Sequence, residues 1–232
     1  MGINLVLIEW DKLPDYIKND SVREYYDILK EKKLSLIIKR IFDIIISVFL
    51  LILLSPILII LAVLIKIDSK GGVFFRQERI TQYGRPFKIF KFRTMVKDAE
   101  KLGTQVTVNN DSRVTKIGKY LRKLRLDELP QLLNILIGDM SFVGTRPEVK
   151  KYVDKYSDSM MATLLMPAGV TSLASIMFKD EQTLLDNCDD VDKMYVETIL
   201  VKKMKYNLEY IKKFSFLYDI KLMFKTVLEV IK

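Results

Sequence analysis

The sequence predicts a mostly helical α+β protein in which one membrane helix is joined to a cytosolic domain. Three observations support this: one apolar run of spanning length (Ile44–Ile65), two alternating runs around a Gly/Pro turn, and amphipathic patterns near both ends, of which the C-terminal one is basic. A length of 232 residues allows one compact domain plus a membrane element. We expect an amphipathic segment at 1–38, an anchor at 39–68, a central domain at 69–188 and C-terminal helices at 189–232.

The first segment contains apolar side chains at helical spacing between Asp15 and Lys33. This spacing predicts an amphipathic helix, which we interpret as a surface or docking helix. The stretch from Met1 to Trp10 has no basic region followed by a small-residue cleavage site, so it does not read as a signal peptide.

The apolar run Ile44–Ile65 contains 22 residues, enough to cross a hydrocarbon core of about 30 Å at about 1.5 Å per residue. Pro56 removes a backbone donor and predicts a bend, and the Ser55 hydroxyl can satisfy part of the freed backbone within lipid. Basic residues flank both ends: Lys32, Lys33, Lys39 and Arg40 before the run, and Lys66, Lys70, Arg76 and Arg79 after it. This charge pattern suits a re-entrant helix with both ends on the cytoplasmic face, but spanning helices with a proline kink are also common.

The runs Gly71–Arg79 and Phe87–Arg93 flank a turn that contains Gly84 and Pro86, a pattern that predicts a β-hairpin. Strand alternation places Lys91 and Arg93 on one side of it. The sequence also predicts a short strand at Thr171–Phe178.

From Asp189 to Lys232 the pattern is helical, with lysines interleaved with aromatic side chains. Such helices suit the interface of an anionic membrane. A solvated basic face over a packed core is an equally good interpretation.

Charge and composition restrict the chemistry. The net charge of +9 suits nucleic acid, anionic lipid or phosphorylated substrates, and the apolar run favours the last two, so no nucleic-acid partner is expected. Neither a Walker-type phosphate loop nor a dinucleotide-binding G-x-G-x-x-G occurs. The single cysteine excludes an intramolecular disulfide and a cysteine-based zinc site. Because the chain has no histidine, acid, base or nucleophile roles fall to other side chains.

The adjacent carboxylates Asp127 and Glu128 are the leading candidates for such roles. Near a helix start, a carboxylate followed by proline often only caps the helix. Here Arg122 and Arg125 precede the pair, and Arg146 follows in a Gly/Pro loop. Adjacent side chains diverge by about 100° on a helix, so one carboxylate can face a reacting atom while the other holds a metal.

Arginine forks match phosphate oxygens, and carboxylates act as nucleophiles in phosphoryl transfer. A divalent ion then neutralises the charge that repels the carboxylate from phosphate, and Mg²⁺ suits one or two carboxylates plus substrate phosphates. The pattern therefore favours metal-assisted chemistry on a phosphate at a bilayer surface.

Seven motifs in order resemble those of the monotopic phosphoglycosyl transferases, a bacterial sugar transferase family, and the match covers roughly Lys39 to Phe178. The motifs are Lys39–Asp43, Ser55–Pro56, Phe75–Arg79, Lys91–Met95, Asp111–Thr115 with Gly118, Asp127–Leu132 with Asn134, and Gly138–Pro147. Any one is weak evidence, whereas seven in register are highly specific.

The resemblance implies a re-entrant, non-spanning anchor on the cytoplasmic face of the bacterial inner membrane, with 69–188 as the catalytic domain. It implies that Asp127 attacks the β-phosphate of a UDP-sugar, releases UMP and carries the phosphosugar to undecaprenyl phosphate, which begins glycan assembly. Glu128 would bind Mg²⁺, and the phosphate-binding side chains would be Arg122, Arg146, Lys91 and Arg93. Further expected partners are membrane lipid, a second copy of the chain and downstream glycosyltransferases.

Two departures from the family pattern concern sugar identity: Thr145 stands where many members carry proline, and Ser172 where many carry glycine. Two alternatives remain. One is a non-catalytic, membrane-anchored basic binding module, and the other is a glycosyl transferase that moves the sugar alone and releases UDP.

Overall fold

A computed structural model describes residues 7–99, 111–178 and 191–231 of the chain. Its helices are α1 (Asp20–Glu31), α2 (Lys33–Asp68), α3 (Lys116–Lys123), α4 (Gln131–Ile137), α5 (Lys150–Val153), α6 (Leu173–Met177), α7 (Val191–Met194), α8 (Val201–Lys213) and α9 (Phe216–Ile231). Its strands are β1 (Phe74–Ile80), β2 (Pro86–Phe92), β3 (Met140–Val143) and β4 (Ala168–Thr171). A π-helical turn, Tyr195–Leu200, joins α7 to α8. The mostly helical α+β class is confirmed, while the division of the chain at residues 38, 68 and 188 stays a prediction.

The predicted anchor lies in α2, which is 36 residues long and begins at Lys33 rather than Lys39. Within the described residues, α2 is the helix whose length and composition would allow it to cross a membrane. Its most apolar 18-residue window has a mean hydropathy of 3.3, and 6% of that window is buried in the protein. Such an exposed apolar helix requires a covering apolar medium.

The helix continues through Ser55 and Pro56, so the predicted anchor of two helices separated by a break is one continuous element. Pro56 cannot donate to the carbonyl of Ile52, its partner in a regular helix. The Ser55 hydroxyl donates to that same carbonyl at 2.8 Å instead. The predicted role of Ser55 is confirmed, and it explains how proline is accommodated without ending the helix.

α1 begins at Asp20, because residues 15–17 form a separate 3₁₀ turn and Asn19 caps the helix by accepting from the Val22 N–H at 2.9 Å. Its apolar face is buried in the main core, which confirms a docking helix.

The predicted hairpin is confirmed as β1 and β2, which pair antiparallel from Phe74 opposite Phe92 to Ile80 opposite Pro86. A second sheet pairs β3 with β4 in parallel. The predicted strand at 171–178 is wrong for most of its length, since β4 ends at Thr171 and α6 follows. The Ser172 hydroxyl accepts from the Ser175 N–H at 2.9 Å, so this residue caps a helix instead of continuing a strand.

The two C-terminal helices differ in their surroundings. α8 buries Met204, Tyr210 and Ile211, so a basic face over a packed core describes it correctly. α9 instead leaves several apolar side chains more than half exposed: Leu217, Phe224, Val227 and Leu228. An interfacial location therefore remains a prediction for α9.

A buried ion pair joins α2 to α9 and β3. The Lys39 ammonium donates to Asp219 at 2.5 Å and to the Val143 carbonyl at 2.7 Å. The Tyr210 hydroxyl donates to the second Asp219 oxygen at 2.8 Å. Lys39 and Asp219 are 4% and 3% exposed, so each charge depends on the other for compensation.

We expect Lys39→Met to lower the free energy of unfolding by about 3–5 kcal/mol, because Asp219 would be left as an uncompensated buried charge. Chemical denaturation in detergent micelles would measure this. Lys66→Met is the matched control on the same helix, since Lys66 makes an exposed bond to the Gly71 carbonyl. Adding Asp219→Leu to Lys39→Met should restore much of the loss. Equal, small effects of the two lysine variants would contradict a structural role for the pair.

Candidate active site

The two candidate carboxylates lie in a short turn between α3 and α4. Arg125 adopts a left-handed conformation, with φ of 56°, and the 3₁₀ turn Leu126–Glu128 follows it. Such a backbone costs about 1–3 kcal/mol for a residue other than glycine, so the surrounding structure must hold it. Pro130 then leads directly into α4 with a φ of −63°, which suits a helix start.

Asp127 is 8% exposed, and within the described residues its carboxylate forms neither a hydrogen bond nor an ion pair. It does not cap α4, whose first turn has no side-chain cap, so the capping interpretation is wrong. Burial raises the pKa of Asp127, and the neighbouring cations Lys91 and Arg122 only partly offset this effect. A buried carboxylate without a partner is more basic than usual and is available to a ligand.

Glu128 has the opposite environment. Its Oε1 accepts from the Lys91 ammonium at 2.7 Å, and Arg146 Nη2 lies 3.8 Å from the same oxygen. Burial opposes the charge of Glu128, but the attraction of Lys91 and Arg146 outweighs it and lowers the pKa to about 2. Glu128 is therefore an ionised carboxylate throughout the physiological range.

The Lys91–Glu128 contact depends on Asn134, which is fully buried in α4. Its side chain accepts from the Phe90 N–H at 2.8 Å and donates to the Lys88 carbonyl at 3.1 Å. It thus pairs with the free edge of β2 as a neighbouring strand would. The sequence analysis gave Asn134 no role. No local signal distinguished Asn134 from Gln131, the other buried amide of this short helix.

The other end of α4 is fixed by the anchor helix. Arg40 donates to the carbonyls of Ile135 and Leu136 at 2.6 and 2.9 Å, near the C-terminal end of α4, where a cation also complements the helix dipole. The sequence analysis had assigned Arg40 only to the basic flank of the anchor.

The predicted phosphate-binding residues Lys91, Arg122 and Arg146 are brought to the pair by β2, α3 and the loop after β3. The Arg122 Nε donates to the Thr94 hydroxyl at 2.8 Å. Burial lowers the pKa of Arg122, whereas the charges of Asp127 and Asp111 raise it. Arg146 remains partly exposed. Cations from three elements therefore surround the two carboxylates.

Arg93 is not brought together with these residues. Its guanidinium donates to the carbonyls of Ser69 at 2.7 Å and Lys70 at 3.1 Å, at the C-terminal end of α2. A cation at this position satisfies free carbonyls and complements the helix dipole. The contacts of Arg93 are therefore those of a helix-end cation, and we no longer include it among the phosphate-binding residues.

The carboxylate pair fits a divalent ion that arrives with a phosphorylated substrate. In the part of the chain that the structure describes, no group of three or more His, Cys, Asp or Glu side chains is placed to hold a metal. Mg²⁺ commonly uses only one or two carboxylates plus substrate phosphates. Glu128 is ionised, and Asp127 has no bonded partner among the residues that the structure describes, so these two residues match that donor set.

The two departures from the family pattern are both buried. The Thr145 hydroxyl donates to the Thr163 carbonyl at 3.5 Å, and Ser172 caps α6. Their side chains contact the protein itself, and an effect on sugar identity stays a prediction.

The fold and the site define a protein with one long, exposed apolar helix and with carboxylates and cations arranged for chemistry on phosphate. Residues 34–232 match the family model of the bacterial sugar transferases. The chain belongs to this family, which confirms the predicted resemblance.

The matched relatives act on different sugars. The chain is 40% identical over 198 residues to a UDP-glucose:undecaprenyl-phosphate glucose-1-phosphate transferase of Klebsiella pneumoniae, covering 84% of this chain and 40% of the relative. It is 37% identical over 193 residues to a UDP-N-acetylgalactosamine-undecaprenyl-phosphate N-acetylgalactosaminephosphotransferase of Aeromonas hydrophila, covering 82% and 43%. It is 32% identical over 204 residues to the exopolysaccharide production protein ExoY of Sinorhizobium fredii, covering 82% and 83%. The chain thus spans about two fifths of the first two relatives.

Proposed function

We propose that this chain transfers a sugar 1-phosphate from a UDP-sugar to undecaprenyl phosphate and releases UMP. The observation that carries the proposal is Asp127, a buried carboxylate beside an ionised Glu128 and several cations. Within residues 7–99, 111–178 and 191–231 it has no bonded partner. The names of the relatives support the same donor and acceptor classes. They differ in the sugar, so the sugar of this chain remains to be measured.

In the first step, an Asp127 oxygen attacks the β-phosphorus of the UDP-sugar. A phosphorus–oxygen bond to Asp127 forms. The bond between the β-phosphorus and the oxygen that it shares with the α-phosphorus breaks, and UMP leaves with the electron pair. The raised pKa of Asp127 makes its carboxylate a stronger nucleophile than an exposed aspartate.

In the second step, a phosphate oxygen of undecaprenyl phosphate attacks the same phosphorus. Asp127 leaves as a free carboxylate, and the product is a polyprenyl diphosphate sugar. Lys91, Arg122 and Arg146 surround the pair and would hold and neutralise the phosphate oxygens in both steps. Mg²⁺ bound by Glu128 and the substrate phosphates would supply further charge neutralisation.

We expect wild-type protein to release UMP from one UDP-sugar of a panel when undecaprenyl phosphate and Mg²⁺ are present. Asp127→Asn should lower the rate by about 10³-fold or more, because the nucleophile is lost. Glu78→Gln, at an exposed carboxylate on β1, is the matched control and should keep the rate.

Without the acceptor, one UMP per enzyme and a phosphosugar on the Asp127 peptide are expected by mass spectrometry. Release of UDP would instead indicate transfer of the sugar alone. Absence of any product would favour the non-catalytic binding module or a donor outside the panel.

The rate of UMP release should fall as the pH falls through the pKa of Asp127, because only the ionised carboxylate attacks. Burial raises that pKa, so the acid limb of the pH–rate profile (the fall in rate at low pH) should have its midpoint above the ordinary aspartate value of 3.8. Lys91→Met removes a cation that lowers this pKa and should move the limb to higher pH. The control is Lys88→Met, at an exposed position on the same strand. An unchanged limb in Lys91→Met would contradict the assignment of this limb to Asp127.

We also propose that α2, although continuous, bends at Pro56, so that it enters the membrane from one face and returns to it. The domain contacts α2 along its length. Arg40 binds the end of α4, and Asp68 accepts from the Ile117 N–H at 3.0 Å. Between them, Leu50 and Leu54 pack against an apolar cluster that includes side chains of β2 and α4. If α2 crossed the bilayer, the parts of the domain that contact it between Arg40 and Asp68 would lie in the hydrocarbon. Unpaired polar groups are costly there. This contact pattern supports a monotopic location, and the basic flanks favour the cytoplasmic face.

Single-cysteine variants test this path. In a Cys188→Ser background, Lys33→Cys and Lys70→Cys place a thiol near each end of α2, both at exposed positions. A membrane-impermeant thiol reagent should label both variants in inside-out vesicles and neither in right-side-out cells, with detergent-solubilised protein as the positive control. Labelling of the two ends from opposite sides would establish a spanning helix. Dimer formation and downstream glycosyltransferases remain predictions.

A further inference from the structure

Three buried polar side chains lie outside the carboxylate site and join the loop after β3 to the C-terminal helices. They are Glu148, Tyr195 and Lys203, which are 6%, 5% and 4% exposed. The Tyr195 hydroxyl donates to Glu148 Oε1 at 2.7 Å, and the Lys203 ammonium donates to the Tyr195 oxygen at 3.4 Å. Burying these groups is costly, so their contacts need an explanation beyond packing.

The π-helical turn Tyr195–Leu200 accounts for the alignment of two of them. In a regular α-helix, residues eight apart are about 80° apart around the axis. A π turn accommodates one additional residue, so that Tyr195 and Lys203 are arranged nearly like residues seven apart, about 20° from each other. The Lys203 ammonium then reaches the Tyr195 hydroxyl, which itself contacts Glu148. Without the π turn, the hydroxyl and the ammonium would diverge.

Glu148 lies two residues after Arg146, in a loop that is held from both sides. On one side, the Ile80 N–H donates to the Glu148 carbonyl at 2.9 Å, and Arg79 donates to the Pro147 carbonyl at 3.3 Å. On the other side, the Tyr195 hydroxyl holds the Glu148 carboxylate. Arg146 extends from this loop to within 3.8 Å of Glu128.

We propose that Tyr195 is a positioning residue that acts through Glu148 to set Arg146 beside Glu128. The inference rests on the proposed function, in which Arg146 holds substrate phosphate. It extends the site to the C-terminal helix, more than forty residues further along the chain. The π turn is then a functional feature of that helix, since it aims the hydroxyl at the loop.

The test is Tyr195→Phe, which removes only the hydroxyl. We expect kcat/KM for UMP release from the UDP-sugar to fall about 10-fold, as for loss of one hydrogen bond to a charged group. Tyr152→Phe is the matched control, because Tyr152 packs on Tyr195 at a ring distance of 4.5 Å but donates to Asp192 at the surface. It should leave kcat/KM within about twofold, since the bond to Asp192 does not involve Glu148 or the loop that carries Arg146.

A double-mutant cycle separates positioning from general destabilisation. In an Arg146→Gln background, Tyr195→Phe should change kcat/KM by less than about twofold, because its effect passes through the missing guanidinium. The same factor in both backgrounds would overturn the proposal, and so would an unchanged kcat/KM in Tyr195→Phe alone.

A second pair of variants tests the same proposal if Tyr195→Phe folds poorly. Glu148→Gln keeps an acceptor for the hydroxyl and should stay within about threefold of the wild type, whereas Glu148→Ala should lose about 10-fold. Equal losses in these two variants would overturn the proposal. Failure of the wild type to form UMP would refute the proposed function itself, which is a separate outcome.

Discussion

The buried ion pair between Lys39 and Asp219 fixes the anchor helix against the rest of the protein. It joins α2 to α9, and the same ammonium binds the last carbonyl of β3. Further along α2, Arg40 holds the end of α4 and Asp68 holds the start of α3. Because α3 and α4 flank the turn that carries Asp127 and Glu128, the contacts of α2 determine where the two carboxylates lie relative to this apolar helix.

The two carboxylates show how environment separates the roles of neighbouring, chemically similar groups. Glu128 is compensated by Lys91 and Arg146, which keeps it charged. Asp127 is buried, and this burial raises its pKa, so that its carboxylate is more basic. The left-handed Arg125 turns the chain so that the two side chains meet these different surroundings. Three elements supply the cations, so the difference arises from the tertiary fold and not from the local sequence.

Local patterns predicted the features that depend on neighbouring residues. The hairpin, the docking helix, the Ser55 contribution and the identity of the carboxylate pair all follow from spacing, turn residues and backbone chemistry. Features that depend on distant contacts were missed. Strand alternation placed Arg93 beside Lys91, but the strand ends at Phe92 and Arg93 turns to the end of α2. Likewise, the chain turns after Thr171, so Ser172 caps α6 instead of continuing a strand. No local signal identified Asn134 as the partner of β2.

The bonds from Asn134 to the edge of β2 have a consequence for the order of synthesis. A two-stranded hairpin alone is at best marginally stable in water, and here one of its edges is completed by a side chain from α4. The ribosome makes α2 first, then the hairpin, and the residues of α4 only later. The nascent hairpin is therefore incomplete until α4 emerges. Final assembly of the domain can take place only then, with α2 already made.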